Sequence, residues 1–295
     1  QAVPGEMVVS AGYLGNHAVK LLGSYLAYPA ISGPGATLGN LEIRRLYYPD
    51  YGQLITREAF GFSNYHALQL QVRRRATSGL TLLANYVWAK AIDNISRSNN
   101  NNSGVRNPFD LNSDRGPSDM DVRHMANFAF VYSLPALGSP HPLLRGLLNG
   151  WQTNGILTMR TGLGMTPLAG ADNSLSGNNL DHADLTGTDI SRPAGADRMQ
   201  QWFNTAAFAP NAPGTFGTAG RNIIRAPGNV SVDLSLFKNF TLRESLKLQV
   251  RGEAFNALNH PNLGNPNVTI TNVNFGRVLE GGNPRVIQLA LKLMF

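Results

Sequence analysis

Eight segments of alternating apolar and polar residues divide this sequence, and the connections between them are long and short by turns. The segments are 7–15, 66–74, 80–88, 125–132, 151–160, 229–237, 246–254 and 285–295. Because successive side chains of a β-strand point to opposite faces, each segment predicts a strand with one apolar face. In an antiparallel up-and-down sheet, this alternation places all long loops at one end and all short turns at the other. Such asymmetry is typical of an outer-membrane β-barrel.

The polar faces of these strands predict the inner surface of the barrel. We expect eight side chains to face a lumen: Gln69, Gln71, Arg73, Asp233, Lys247, Gln249, Arg251 and Glu253. Eight strands can close into a small barrel with a filled interior, but a narrow lumen needs less charge than this. We therefore expect an all-β fold in which the whole chain, 1–295, is the C-terminal portion of one larger transmembrane barrel, with long extracellular loops and short periplasmic turns.

The last segment, "RVIQLALKLMF", ends the chain on an aromatic ring. Its alternating apolar positions predict a lipid-facing closing strand that ends at the periplasmic edge of the membrane. A terminal aromatic in an outer-membrane protein resembles the signal that the barrel-assembly machinery reads. The residues that would form this assembly signal are Ile287, Leu289, Leu291, Leu293 and Phe295.

Aromatic residues near the strand ends predict two interfacial girdles. Tyr86 and Trp88 would lie near the outer interface, and the inner girdle would contain Tyr132, Trp151, Phe237 and Phe295. An alternative is that the tryptophans fill the core of a soluble β-sandwich. That alternative does not explain aromatics at both strand ends or the long loops, which are uncommon in compact domains.

Composition excludes several other classes of protein. Charged residues are 15% of the chain, below the roughly 25% of an ordinary soluble domain. The net charge of +7 permits nucleic-acid binding, but the basic residues are scattered, so we expect no nucleic-acid partner. The absence of cysteine excludes disulfides and zinc ribbons. The sequence contains no run of about 18 apolar residues, so we expect no transmembrane helix. The start at "QAVPGEMVVS" leads us to expect a mature or truncated fragment.

No motif for catalysis or cofactor binding emerges, so we expect neither an enzyme nor a cofactor. The six histidines are dispersed, and "GPGATLG" (33–39) is not a phosphate-binding loop. "DHAD" (181–184), with Asp172 and Asp189 nearby, offers oxygens for calcium, but its spacing fits no EF-hand and favours solvated loop polarity. The acidic stretch "NSDRGPSDMD" (112–121) favours a turn from loop to strand. We therefore expect no metal site.

Several stretches resemble the TonB-dependent outer-membrane receptors, and specifically their Oar-like group. They cover most of the chain from residue 50 onward: "SNYHALQLQVRRRATSGLTLLANYVWAKAID" (63–93), "RGPSDMDVRHMANFAFVYSLP" (115–135), "GWQTNGILTMRTG" (150–162), "WFNTAAFAPNAPGTFGTAGRNIIRAPG" (202–228), "DLSLFKNF" (233–240), "LQVRGEAFNALNHPNLGNP" (248–266) and the terminal strand. Each stretch is weak by itself. Their order and spacing carry the resemblance.

The resemblance implies a function and a set of partners. The family has a 22-stranded barrel with an N-terminal plug, preceded in this group by a carboxypeptidase-regulatory-like domain, and takes up a large, scarce ligand. We expect contact with outer-membrane lipid and with the barrel-assembly machinery, and with the TonB complex through an N-terminal region that this sequence lacks. Two other functions stay open, a surface adhesion or contact protein and a passive small porin.

Overall fold

Eight long strands form one antiparallel sheet in the computed structural model, which describes residues 2–3, 6–77, 79–96, 105–138, 141–243 and 246–295. Neighbours in the chain are neighbours in the sheet, which confirms the up-and-down order. All eight predicted strands are present. They are β1 Met7–Ala27, β2 Leu54–Thr77, β3 Leu80–Asp93, β4 His124–Ser133, β5 Trp151–Arg160, β6 Asn229–Arg243, β7 Leu246–Phe255 and β8 Val286–Met294.

The first two strands are much longer than the sequence predicted. β1 has 21 residues and β2 has 24, so both extend well past the predicted ends at residues 15 and 66. The pairing of these two strands shifts register between Val19 and Leu21 and again between Leu21 and Gly23. Each shift interrupts the alternation of faces, and this is why the period-2 pattern does not reveal the outer part of this hairpin.

The connections confirm the predicted asymmetry. β2 and β3 are joined at residues 78–79, β6 and β7 at 244–245, and β4 and β5 by 134–150, which contains the helix α1, Pro142–Leu148. The four long loops all leave the opposite end of the sheet. Their described residues, within 28–53, 94–123, 161–228 and 256–285, are called the loop layer below.

The sheet is open within the part of the chain that the structure describes. β8 pairs with β7 on one side, and the other edge ends in the short strand Ala2–Val3, which pairs with β1. The eight strands therefore do not close into a barrel by themselves. The expectations that they are the C-terminal portion of a larger barrel and that this barrel has 22 strands stay predictions.

The hydrophobic core of the described chain lies in the loop layer rather than on the sheet. Its buried cluster contains Ala183, Phe203, Ala207, Phe208, Ala219 and Ile224. The rings of Phe203, Phe208 and Phe275 meet edge to face, with centroids 5.2 to 6.1 Å apart. Such aromatic contacts add to the energy of area burial. No helix among the described residues is long and apolar enough to cross a bilayer.

Candidate functional site: the two faces of the sheet and the loop layer

The register gathers all eight predicted lumen residues on one face of the sheet. Gln71 lies opposite Asn85, and Asn85 lies opposite Asn127 of the next strand. Residues directly opposite each other in an antiparallel pair share a face. Following these pairs from β2 to β7 connects Gln71 to the face that carries Asp233 and Arg251. We call this the polar face.

Hydrogen bonds between neighbouring strands order the polar face. Gln71 Nε2 donates to Asn85 Oδ1 at 2.9 Å. Gln249 Nε2 donates to Asn239 Oδ1 at 2.7 Å, and Gln249 also accepts a hydrogen bond from Arg251 Nε at 2.5 Å. Gln249 is only 8% exposed, so its amide is part of a packed network. The face is therefore polar and structured.

One predicted girdle residue is wrong. Phe237 lies opposite Arg251 on the polar face, where the Arg251 guanidinium stands 4.8 Å from the ring centroid. Phe237 follows Leu236 directly, so the alternation of a strand places it on the other side of the sheet from the apolar row. Its ring therefore contributes a cation–π contact to the polar face instead of an interfacial anchor.

The opposite face of the sheet is apolar and bare. Leu234 is 41% exposed and Trp88 is 52% exposed, while Leu289 and Leu291 of β8 reach 81% and 73%. A contiguous apolar surface of this size marks contact with a membrane or another protein in a native chain. The four leucine or isoleucine side chains of the predicted assembly signal belong to this apolar face, and Phe295 at the end of the chain is 97% exposed.

A lysine on the apolar face is held by helix α1 at the turn end of the sheet. Lys238 lies opposite Trp151 and Val250. Its Nζ donates to Gly146 O at 2.6 Å and also to Asn149 O, and it stands 5.3 Å from the centroid of the Trp151 ring. The carbonyls at the end of a helix attract a cation, so α1 satisfies a charge that the apolar face otherwise leaves unpaired.

Helix α1 itself exposes leucines. Leu143 is 89% exposed and Leu147 is 59% exposed, although Leu147 O accepts a hydrogen bond from Trp151 Nε1 at 2.9 Å. The helix is thus fixed to the sheet by its backbone carbonyls while its apolar side chains point away from the protein.

In the loop layer, the buried carboxylate of Asp121 is the centre of an ionic cluster. The side chain of Asp121 is fully buried and pairs with Arg225 and with Arg123, whose Nη2 lies 3.4 Å away. Asp121 Oδ1 also accepts a hydrogen bond from the backbone nitrogen of Ala91 at 2.7 Å. The cluster ties the third long loop to the second loop and to the end of β3.

Two further contacts join the same loops. Arg221 forms a salt bridge with Asp93, and Asn222 Nδ2 donates to Asp119 Oδ1 at 2.7 Å and to Pro117 O at 2.8 Å. The stretches 115–135 and 202–228 both carried the family resemblance, but no spacing in the sequence indicated that they touch. The predicted loop-to-strand turn at 112–121 is present, and its aspartates bind these partners.

A buried histidine lies nearby in the loop layer. His182 is 5% exposed, its Nδ1 lies 2.8 Å from Ala219 O, and its Nε2 lies 3.9 Å from Asp114 Oδ1. Burial, and then repulsion by the Arg106 guanidinium, lower the pKa of His182 to about 4. His182 is therefore neutral near pH 7.

The prediction of solvated polarity for residues 181–184 was wrong in part. Asp181 and His182 are 2% and 5% exposed, whereas Asp189 is exposed as expected. The sequence could not show this, because partners of the two residues are distant in the chain: Asn211 Nδ2 donates to Asp181 Oδ2 at 3.4 Å, and Ala219 O lies 2.8 Å from His182 Nδ1.

Comparison with known proteins agrees with this geometry. The outer membrane beta barrel domain family matches residues 1–288, which is nearly the whole chain. The chain belongs to this family. Its place is therefore the cell outer membrane, where a barrel protein contacts lipid. A comparison with curated proteins found no match.

Among solved structures, the fold is similar to that of the outer membrane transporter YddB from Escherichia coli. The TM-score is 0.50 at 8% sequence identity, and the match covers 98% of this chain and 30% of that one. At this identity the likeness concerns the fold alone. This member of the outer membrane beta barrel domain family thus spans less than a third of the transporter that it resembles.

Proposed function

We propose that this chain is part of the barrel wall of a TonB-dependent receptor of the Oar-like group, which takes up a large, scarce ligand. The observation that carries the proposal is the open eight-strand sheet with one bare apolar face and one polar face. Such a sheet needs further strands to satisfy its edges in a membrane. The similarity to 30% of a transporter chain supports a wall of that kind.

In the proposed receptor, the polar face lines the lumen and the loop layer is extracellular. Further strands would pair with the edges at β1 and β8, and a plug would couple the barrel to the TonB complex. The exposed alternation of Ile287, Leu289, Leu291 and Leu293 with Phe295 supports recognition by the barrel-assembly machinery. We propose no enzymatic step.

Single cysteines test the orientation of the sheet, because the chain has none of its own. In cells that express the full-length protein, we expect Gln71→Cys to react with a hydrophilic maleimide. The neighbouring Leu70→Cys, on the apolar face, should react only with a lipid-soluble reagent. Equal labelling of both positions by the hydrophilic reagent would contradict the assignment of the two faces.

Energy dependence tests the receptor itself. Uptake of the ligand should stop when the proton gradient of the inner membrane is collapsed, while ligand binding at the surface persists. Uptake that continues without the gradient would support the passive porin. The porin receives no support from the fold, because the described strands do not close.

The adhesion or contact protein is the second candidate, and one observation favours it. The first long loop exposes a group of large apolar side chains, which is unusual at a protein surface: Ile43, Leu46, Tyr47, Tyr48 and Tyr51. If contact is the function, Tyr48→Ser with Tyr51→Ser should abolish cell attachment and leave uptake unchanged. The reverse result would favour the receptor.

A further inference from the structure

Residues 172–181, "DNSLSGNNLD", bring oxygen atoms together inside the loop layer. Ser174 Oγ lies 3.0 Å from Asp172 Oδ1 and 2.8 Å from Ser176 Oγ. Asp181 Oδ2 accepts a hydrogen bond from the backbone nitrogen of Ser174 at 2.5 Å. Two carboxylates and two hydroxyls therefore meet around Ser174.

The centre of this loop is buried, and one of its oxygens has no partner. Ser174 and Ser176 are each 1% exposed, and Asp181 is 2% exposed. Asp181 Oδ1 makes no hydrogen bond. A buried carboxylate oxygen without a donor is costly unless a cation balances it. Because Oδ2 of the same carboxylate contacts Ser174, the unpaired Oδ1 lies beside the cluster.

The spacing of the donors is that of a calcium loop. Calcium loops place ligands at positions 1, 3 and 5 and a glycine at position 6, where the chain turns sharply. Asp172, Ser174 and Ser176 take the three ligand positions, and Gly177 follows with a φ of 80°. Gly177 N also donates to Asp172 Oδ2 at 2.7 Å. The loop differs from an EF-hand in having its last acid, Asp181, at position 10 instead of position 12.

The neighbouring arginines are held by other groups, although Arg45 Nη1 is left without a hydrogen-bond partner. Arg45 Nε pairs with Glu42 Oε2 at 3.0 Å, and Arg44 Nη2 donates to Leu175 O at 2.9 Å. Asp172 Oδ1 and Asp181 Oδ2 both contact Ser174, so the two carboxylates bring two negative charges close together. A divalent cation between them would balance both charges.

We propose that Asp172, Ser174, Ser176 and Asp181 bind one Ca²⁺ ion. The described residues contain no group of three or more His, Cys, Asp or Glu side chains suited to a metal, but calcium accepts hydroxyl and carbonyl oxygens as well as carboxylates. With only two carboxylates, the site should resemble extracellular modules, whose dissociation constants are about 10⁻⁴ to 10⁻³ M. This inference rests on the loop layer and is independent of the proposed receptor.

The ion would order three of the long loops together, because residues 172–181 connect them. Ser176 O accepts a hydrogen bond from Ala30 N at 3.0 Å, and Asn178 Nδ2 donates to Val105 O at 2.6 Å. Bound calcium would therefore stabilise the whole loop layer and not only its own loop.

The test is calcium titration of the full-length protein in detergent, followed by calorimetry and by hydrogen exchange at the amides of residues 172–181. We expect one site, and slower exchange in calcium than in chelator. Asp181→Asn should weaken binding by roughly tenfold or more, since ligand charge sets the affinity. Asp189→Asn, at an exposed carboxylate of the same long loop, should leave binding unchanged.

Ser176→Ala serves as a second variant if Asp181→Asn fails to fold, and it should also weaken binding. Exchange that is equal with calcium and with chelator in the unmodified protein would overturn the proposal. Equal protection by Mg²⁺ at the same concentration would overturn the assignment to calcium. Unchanged affinity in either variant would place the ion elsewhere.

Discussion

The sheet and the loop layer of this protein are built for different surroundings. The sheet exposes large apolar side chains such as Leu289, which is 81% exposed, and its strands are held together by backbone hydrogen bonds. The loop layer buries Phe203, at 3% exposure, together with the charged Asp121, at 1%. One chain therefore combines the surface of a membrane protein with the interior of a soluble one.

This difference shows where each region obtains its stability. A soluble domain gains most from removing apolar area from water, and among the described residues the buried hydrophobic cluster lies in the loop layer. The sheet gains from pairing every backbone group where no water is available. Polar substitutions should therefore destabilise the loop layer when they are made in its interior. They should destabilise the sheet when they are made on its exposed apolar face.

The largest expected effect is in the loop layer, at Asp121. Asp121→Ala removes the acceptor of the buried Ala91 amide and the carboxylate partner of Arg225 and Arg123. An unsatisfied buried amide and the lost charge-assisted hydrogen bonds should together cost roughly 3 to 5 kcal/mol. We expect hydrogen exchange to accelerate at the amides of residues 161–228 while β6 and β7 keep their protection. The exposed Asp50→Ala is the matched control. Equal loss of protection in the sheet and the loop layer would break the comparison between them.

On the sheet, the expected effect depends on the face. Leu234→Arg places a charge on the apolar face and should cost roughly 2 to 4 kcal/mol if that face contacts lipid. Gln69→Arg, on the exposed polar face, should change stability by about 0.5 kcal/mol or less. Urea unfolding of the full-length protein in lipid vesicles measures both. Similar costs would show that the two faces meet the same medium.

Gln249→Arg is a poor control for Leu234→Arg. The strand pattern alone predicts a small effect at this position, because Gln249 lies on the polar face. Gln249 is 8% exposed and bonds to Asn239 and Arg251, so this substitution should destabilise the protein by disrupting a packed network. Position on the polar face is therefore not sufficient for tolerance.

A smaller effect should follow from acidification. The pKa of His182 is about 4 in the folded loop layer, against 6.5 for a free histidine. Well above pH 6.5 the histidine is neutral in both the folded and the open loop layer, so it does not reduce the stability of the folded form. Between pH 6.5 and 4 the open state binds the proton more readily, so the loop layer should lose up to about 3 kcal/mol. Below pH 4 this loss is constant.

His182→Asn separates this histidine from other titrating groups. Asp181, whose pKa is raised, acts in the opposite direction, because its ionisation disfavours the folded loop and acid relieves that cost. Exchange rates of the loop amides between pH 7 and 4 should therefore depend less on pH in the variant. An identical pH dependence in both proteins would exclude His182 as the cause.

The sheet could be predicted from the sequence because its rule is local. Alternation fixes the face of each residue within one strand, and β5 begins at Trp151 and ends at Arg160 as predicted. The rule failed where bulges interrupt the alternation, as near Leu21. The girdle prediction was wrong for Phe237 for another reason: the residue was assigned by its distance along the strand, although alternation places its ring on the polar face.

The loop layer could not be predicted in the same way. The partners Asp93 and Arg221 are 128 residues apart in the chain, and no periodic pattern links them. Buried ion pairs and small apolar clusters depend on tertiary packing, so the sequence revealed only that these loops are long and rich in turn-forming residues. Stretches that carry the family resemblance contain these partners, but the resemblance did not indicate their contacts.

Helix α1 has a consequence for how the protein sits in its membrane. Lys238 and Trp151 hold the helix at the turn end of the sheet, while leucines such as Leu143 project outward. A short helix with apolar side chains settles where lipid headgroups meet acyl chains. The helix then fixes the depth of the sheet in the membrane. A shift of the sheet along the membrane normal would move the leucines into water or the lysine into hydrocarbon. The vertical position of the sheet in the membrane is thereby set at its turn end and does not depend on the loop layer.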